Sequence, residues 1–129
     1  MIINIESSHK NEMIDITETI EEIVGNEGEP VASCLIYCPH TTAAITINEG
    51  TDPHVQEDML LGLDKAFPDR KEFKHGEGNS AAHIKSSVIG GSVWVPITGG
   101  RLQLGTWQKI YFCEFDGPRR RKVIVHIQT

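Results

Sequence analysis

From Ser92 to the C-terminus the chain reads as short apolar runs cut by turn residues: SVWVPI, a Gly99-Gly100 pair, RLQL, WQKIYFCEF, an Asp116-Gly117-Pro118 step and KVIVHI. A glycine pair or an Asp-Gly step between strand-like runs is hairpin punctuation, because the tight turns of antiparallel strands need residues that tolerate their backbone angles. Val123, Val125 and Ile127 recur at period two, placing one apolar face on the last strand. A tail built this way has to bury that face against a second layer.

The first half supplies the layer. MIINI and MIDI read as strands separated by a polar turn, and VASCLIYC and AAITIN as two more flanking Pro39-His40-Thr41-Thr42. Ile16, Ile20, Ile23 and Val24 keep helical spacing, with Asp15 or Thr17 as cap and Gly25 as stop. A second helix starts at Asp52-Pro53, carries Val55, Met59, Leu63 and Phe67 along one stripe, and ends at Pro68; it is expected to pack across a sheet. The expected fold class is therefore α+β, an antiparallel, sandwich-like β core with two or three packed helices, in one domain over 1–129.

Composition narrows the function classes. A formal net charge of −6 argues against a nucleic-acid partner, which demands a basic surface. No apolar run reaches the roughly 20 residues that cross a bilayer, and the N-terminus has no basic-then-apolar leader, so no membrane role and a cytoplasmic location are expected. Cys34, Cys38 and Cys113 suit no zinc-ribbon spacing. Along a strand Cys34 and Cys38 stand about 13 Å apart at roughly 3.3 Å per residue, too far for a disulfide.

The polar residues gather in three clusters. HGEGNSAAHIKSS, residues 75–87, has Ala81, Ile84 and Val88 at helical spacing, Asn79 or Ser80 as cap and Gly90-Gly91 as stop. On that helix His83 and Ser87 neighbour each other, while Lys85 points away by about 200°. His75 and His83 suit a transition metal only if Glu77 and a distant His40 complete the site, against the alternative of solvent-facing loop residues. In CPHTTAAITINEGTDP, His40, Thr41 and Thr42 follow a strand and Asn48 and Glu49 end the next one, with Glu49 a candidate base or metal partner. Cys38 and His40, two positions apart, also form a candidate nucleophile pair. In GGRLQLGTWQ, Trp107 and Gln108 suit stacking on a flat heterocycle and bonding to its edge, against the alternative of a core tryptophan. The run Arg119 to Lys122 is either a solvated face or, through an arginine such as Arg119, a phosphate clamp.

PHTTAAITINEG, DPHVQEDM, HGEGNSAAHIKSSVIGGSVWVPITGGRLQLGTWQ and EFDGPRRRKVIV, in this order, resemble the YjbQ family, also known as the secondary thiamine-phosphate synthase family. The resemblance implies a β-rich α+β fold, a homotrimer, and a site built from His40, Thr41, Thr42, Asn48, Glu49, His75, Glu77, Asn79, His83, Lys85, Ser86, and Gly105 to Gln108, Thr106 and Trp107 included. It implies weak or accessory joining of a pyrimidine methyl diphosphate to a thiazole phosphate, a small phosphorylated heterocyclic substrate. With a divalent metal, zinc or magnesium, His40, His75 and His83 are the expected ligands, and Glu49 or Glu77 handles a proton. Without one, His40 or His83 is the acid-base group. The other class is a metal- or ligand-binding module without turnover.

Overall fold

A computed structural model describes residues 1–129. The elements are β1 (Ile2–Glu6), β2 (Glu12–Asp15), α1 (Thr17–Gly25), β3 (Ser33–Tyr37), β4 (Ala43–Glu49), α2 (Pro53–Ala66), α3 (Ser80–Ile89), β5 (Ser92–Thr98), β6 (Arg101–Leu102), β7 (Gln108–Glu114) and β8 (Arg120–Gln128). They form a five-stranded sheet in the order β1-β8-β3-β5-β6 and a three-stranded sheet in the order β2-β7-β4. Every pairing is antiparallel. The β5–β6 turn is the expected glycine pair, and Gly99 and Gly100 both have positive φ, open to glycine at little cost. No helix is long and apolar enough to cross a membrane.

The main core lies between the sheets. Ile36 of β3, Val95 of β5, and Val123 and Val125 of β8 meet Ile45 of β4 and Ile110 and Phe112 of β7. Helix α1 closes this layer with Ile20 and Val24. Each fully buried side chain of this size is worth about 1.5–3 kcal/mol of transfer free energy. Asp15 starts α1 by accepting the Thr17 N–H at 2.9 Å and its hydroxyl at 2.6 Å, while Thr17 Oγ1 accepts the Ile110 N–H at 2.8 Å.

The opposite face of the small sheet carries a second cluster of Ala44, Tyr111, Cys113 and Phe115, closed by Ala82 of α3 with Leu60 and Leu63 of α2. Strand β7 is thus apolar on both faces. Helix α2 has the expected Asp52 cap, whose carboxylate accepts the His54 N–H at 2.9 Å, but none of its residues is fully buried. It leans on the second cluster rather than sinking into it.

Helix α3 corrects the expected apolar face. Its buried stripe is Ala81, Ala82, Lys85 and Ser86, while Val88 is 57% exposed. Small side chains let the helix approach β4 closely, and Lys85 enters the stripe because its charge is met by Asp64 and its ammonium lies 5.8 Å from the Phe115 ring centre. At the C-terminal end of α3, Cys38 N–H bonds Gly91 O at 2.7 Å and Ile45 N–H bonds Gly90 O at 3.1 Å. This staple joins α3 to both sides of the β3–β4 turn, where the candidate site forms.

Candidate functional site

The β3–β4 turn carries His40, Thr41 and Thr42 and is held from beneath by a buried polar network. Glu114, fully buried, faces Arg121, which is 4% exposed. Arg121 Nε donates to Glu114 Oε1 at 2.9 Å and a terminal guanidinium nitrogen donates to Oε2. The same nitrogen donates to Thr42 Oγ1 at 2.8 Å and Thr42 O at 3.3 Å. Ser7 Oγ adds a bond to Glu114 Oε1 at 2.7 Å and accepts the Arg119 N–H at 2.9 Å. Burial alone raises the Glu114 carboxyl; the Arg121 guanidinium, the Ser7 hydroxyl and the Asp116 N–H outweigh it and hold it below its ordinary value. Gly117 lets the 116–118 turn close over this network, since a Cβ there would stand 2.2 Å from His9 O and 2.9 Å from Glu114 Cγ.

His40 rests on this platform. Its Nε2 accepts the Lys122 N–H at 2.9 Å, taking up a backbone donor of β8 just beyond the β3–β8 pairing. Burial, followed by the nearby Arg121 charge, lowers its pKa below the ordinary imidazole value. A neutral ring whose Nε2 accepts must carry its proton on Nδ1. His40 is thereby fixed as an Nδ1–H donor.

Facing the turn, α3 contributes His83, Ser86 and Ser87 to a cavity of about 410 Å³ also lined by His40, Thr41 and Cys38. Ser87 Oγ donates to His83 O at 3.0 Å. Ser86 is 8% exposed, and its buried Oγ has no hydrogen-bond partner in the protein. Cys38 is no thiolate: burial pushes its pKa up, and its thiol points to His40 O at 3.9 Å rather than to the ring. The Cys34 and Cys113 thiols are raised to about 11 and about 12, burial being the main cause.

Of the residues expected at the site, His40, Thr41, His83 and Ser86 come together here. His75 packs edge-on against His83, with ring centres 5.4 Å apart, but lines a separate cavity of about 260 Å³ with Asp69 and Ser80. Glu77 is a distant partner of His75 at 3.9 Å. No group of three His, Cys, Asp or Glu side chains is gathered closely enough to hold a metal ion, and His40 Nε2 is already engaged. The donor set within the chain therefore does not fit the three-histidine metal centre.

Other expected residues are engaged by partners within the chain or stand away from the cavity. Thr42 belongs to the buried network, Lys85 to its pair with Asp64, and Asn79 donates to Asp116 Oδ2 at 2.9 Å. Arg119 folds back on the Asp116 carbonyl and carboxylate at 2.9 and 3.0 Å. Asn48 Oδ1 accepts the Glu49 N–H at 2.7 Å, and the Glu49 carboxylate accepts the Asp52 N–H at 3.1 Å ahead of α2, which makes Glu49 part of a helix entry. Gln108 Oε1 accepts the Gly105 N–H at 2.8 Å, and Trp107 is 61% exposed; neither they nor Thr106 line the cavity.

Sequence reasoning missed Glu114, Ser7 and the burial of Arg121. A signal existed: Glu114 interrupts the apolar run IYFCEF, and Arg121 keeps the inward period of Val123 and Val125.

The family model described as UPF0047 protein YjbQ-like matches residues 1–129. The chain is 53% identical over 120 residues to UPF0047 protein YugU of Bacillus subtilis, covering 92% of this chain and 91% of that protein. It is 46% identical over 123 residues to UPF0047 protein MJ1081 of Methanocaldococcus jannaschii, covering 95% and 89%. The crystal structure of an uncharacterized conserved protein of the yjbq/upf0047 family from Clostridium acetobutylicum superposes with a TM-score of 0.96 at 49% identity, covering 99% of both chains. A conserved hypothetical protein from Thermus thermophilus superposes with a TM-score of 0.92 at 34% identity, again over 99% of both chains.

Proposed function

The chain belongs to the YjbQ-like UPF0047 family, and on that premise we propose that the cavity between the β3–β4 turn and α3 binds a small polar ligand. The observation that carries this reading is Ser86 Oγ, buried and unpartnered on the wall of a cavity that also presents His40 and His83. A buried hydroxyl without a partner costs about 1–3 kcal/mol, a cost a ligand's polar atom relieves. The volume of about 410 Å³ suits one small heterocycle. His40 offers a hydrogen bond from Nδ1, and His83 adds a second imidazole, with hydrogen-bonding nitrogens, on the facing wall.

The test is a titration of small polar heterocycles into isotope-labelled protein. Resonances of His40, His83 and Ser86 are expected to move together, and Ser86→Val, which removes the hydroxyl and adds apolar bulk to the cavity wall, is expected to abolish the shifts. Shifts confined to other surfaces would refute the reading.

A finer form makes the cavity a transferase site that joins a pyrimidine methyl diphosphate to a thiazole phosphate. Two imidazoles beside a heterocycle-sized cavity favour it over simple storage of a ligand, because departure of pyrophosphate benefits from a proton donor. Pyrophosphate release from the two precursors is its readout; no release, or release unchanged in His83→Ala, removes the transferase form and leaves the binding site.

The reading extends to assembly as a homotrimer. The outer face of the five-stranded sheet carries Ile2, Ile124 and Tyr37 in one register row and Trp94 in the next, all exposed. Contiguous apolar surface of this kind marks an association face. Trp107 is free to reach a neighbouring copy, whereas Lys85 at 4% exposure is not. Light scattering on the wild type and on Trp94→Glu tests this: a trimer dispersed by the variant is expected, and a wild-type monomer at high concentration contradicts it.

A further inference from the structure

We propose that the groove on the other side of His40, over the paired strands β1 and β8, is an oxyanion subsite that takes the phosphate group of a small ligand whose uncharged part lies in the His83–Ser86 cavity. This inference rests on the pocket reading above for its second half, and on the charge pattern of β8 for its first.

Strand alternation divides the basic run into unlike halves. Arg119 is taken by Asp116 and Arg121 by Glu114. Arg120 and Lys122 point to the opposite face from Arg121, are exposed, and form no ion pair. Both line a groove of about 620 Å³ together with Asn4, Glu6 and His40. Glu6 stands opposite Arg120 and Asn4 opposite Lys122 in the β1–β8 register. One carboxylate against two cations leaves the groove locally positive on a chain whose net charge is −6. That local sign attracts a small anion without the broad basic surface a nucleic acid needs.

Two cations two residues apart on one strand stand roughly 6.5–7 Å apart along the backbone. That spacing spans a dianion with three acceptor oxygens better than it spans a carboxylate, and the arginine fork supplies paired donors to such a group. His40 ties the groove to the cavity, since it lines both. Its ring is fixed by the Lys122 N–H, so the strand that carries the cations also sets the imidazole at the junction.

The experiment titrates inorganic phosphate, and acetate as a second arm, into labelled wild-type protein, Arg120→Gln/Lys122→Gln and Ser86→Val. Expected are saturable shifts at Arg120, Lys122 and His40 with phosphate, at least about tenfold weaker binding in the double variant, an unchanged response in Ser86→Val, and weaker binding of acetate. Phosphate binding equal in wild type and double variant overturns the proposal, as does absence of shifts at the two cations. Loss of phosphate binding in Ser86→Val moves the anion into the cavity and overturns it too. Phosphate binding at Arg120 and Lys122 in a protein whose cavity takes no heterocycle leaves the anion subsite standing and removes only the pocket reading.

Discussion

The two walls of the candidate site treat polar groups in opposite ways. Under the β3–β4 turn, Glu114, Arg121, Thr42 and Ser7 satisfy one another and leave no charge over. Across the cavity, α3 buries Ser86 Oγ with no partner and leaves His83 half-exposed. A closed network rigidifies, because every donor and acceptor is committed; an open one is poised for a ligand. The first wall places His40, and the second supplies the unmet hydrogen-bonding capacity.

Breaking the closed wall is the larger perturbation. Arg121→Met strands the Glu114 carboxylate in the interior and is expected to cost about 3–5 kcal/mol in urea unfolding. Adding Glu114→Leu should recover most of that loss, since two apolar groups replace the pair. A loss below about 1 kcal/mol in the single variant would show that the network does not hold the turn.

The same pair sets the acid limb of stability. With the folded Glu114 pKa depressed below its ordinary 4.5, its contribution is complete above about pH 4.5 and is lost as pH falls through the lower folded value. His40 acts in the same sense by another route: its folded pKa lies below 6.5, so the unfolded chain takes up that proton first and stability declines as pH drops under 6.5. Glu114→Gln should flatten the limb below pH 4.5 and leave the decline between there and neutrality. An unaltered acid profile would remove Glu114 from the account.

The open wall should respond least. Ser86→Ala deletes a buried, unpartnered hydroxyl and is expected to raise stability by about 1 kcal/mol, the low end of that hydroxyl's cost of about 1–3 kcal/mol, while weakening heterocycle binding. A clear loss of stability would mean that Ser86 has an internal partner and that the two walls are alike.

Periodicity made most of the framework legible. β8 announced itself through Val123 and Val125, α1 through Ile20 and Val24, and α2 through its Asp52-Pro53 start. The face of α3 was misread because pattern reasoning counts bulky apolar residues. This helix instead buries alanines and a lysine whose partner Asp64 is on another helix, and its Val88 faces out. At the site, His40 and His83 were recognisable as imidazoles in polar loops and helices. Their roles were not, because the Lys122 N–H that fixes the His40 ring comes from a strand 82 residues away. The basic run shows the same limit: composition gives four adjacent cations, and only pairing decides that two are consumed and two remain free.

Nitrogen-15 spectroscopy of the imidazole rings from about pH 5 to pH 8 addresses the arrangement most directly, because it reports which ring nitrogen carries the proton and where the ring titrates. His40 should be neutral with its proton on Nδ1 and should titrate below 6.5. A proton on Nε2, or a midpoint at or above 6.5, would contradict a fixed donor at the junction of the two cavities.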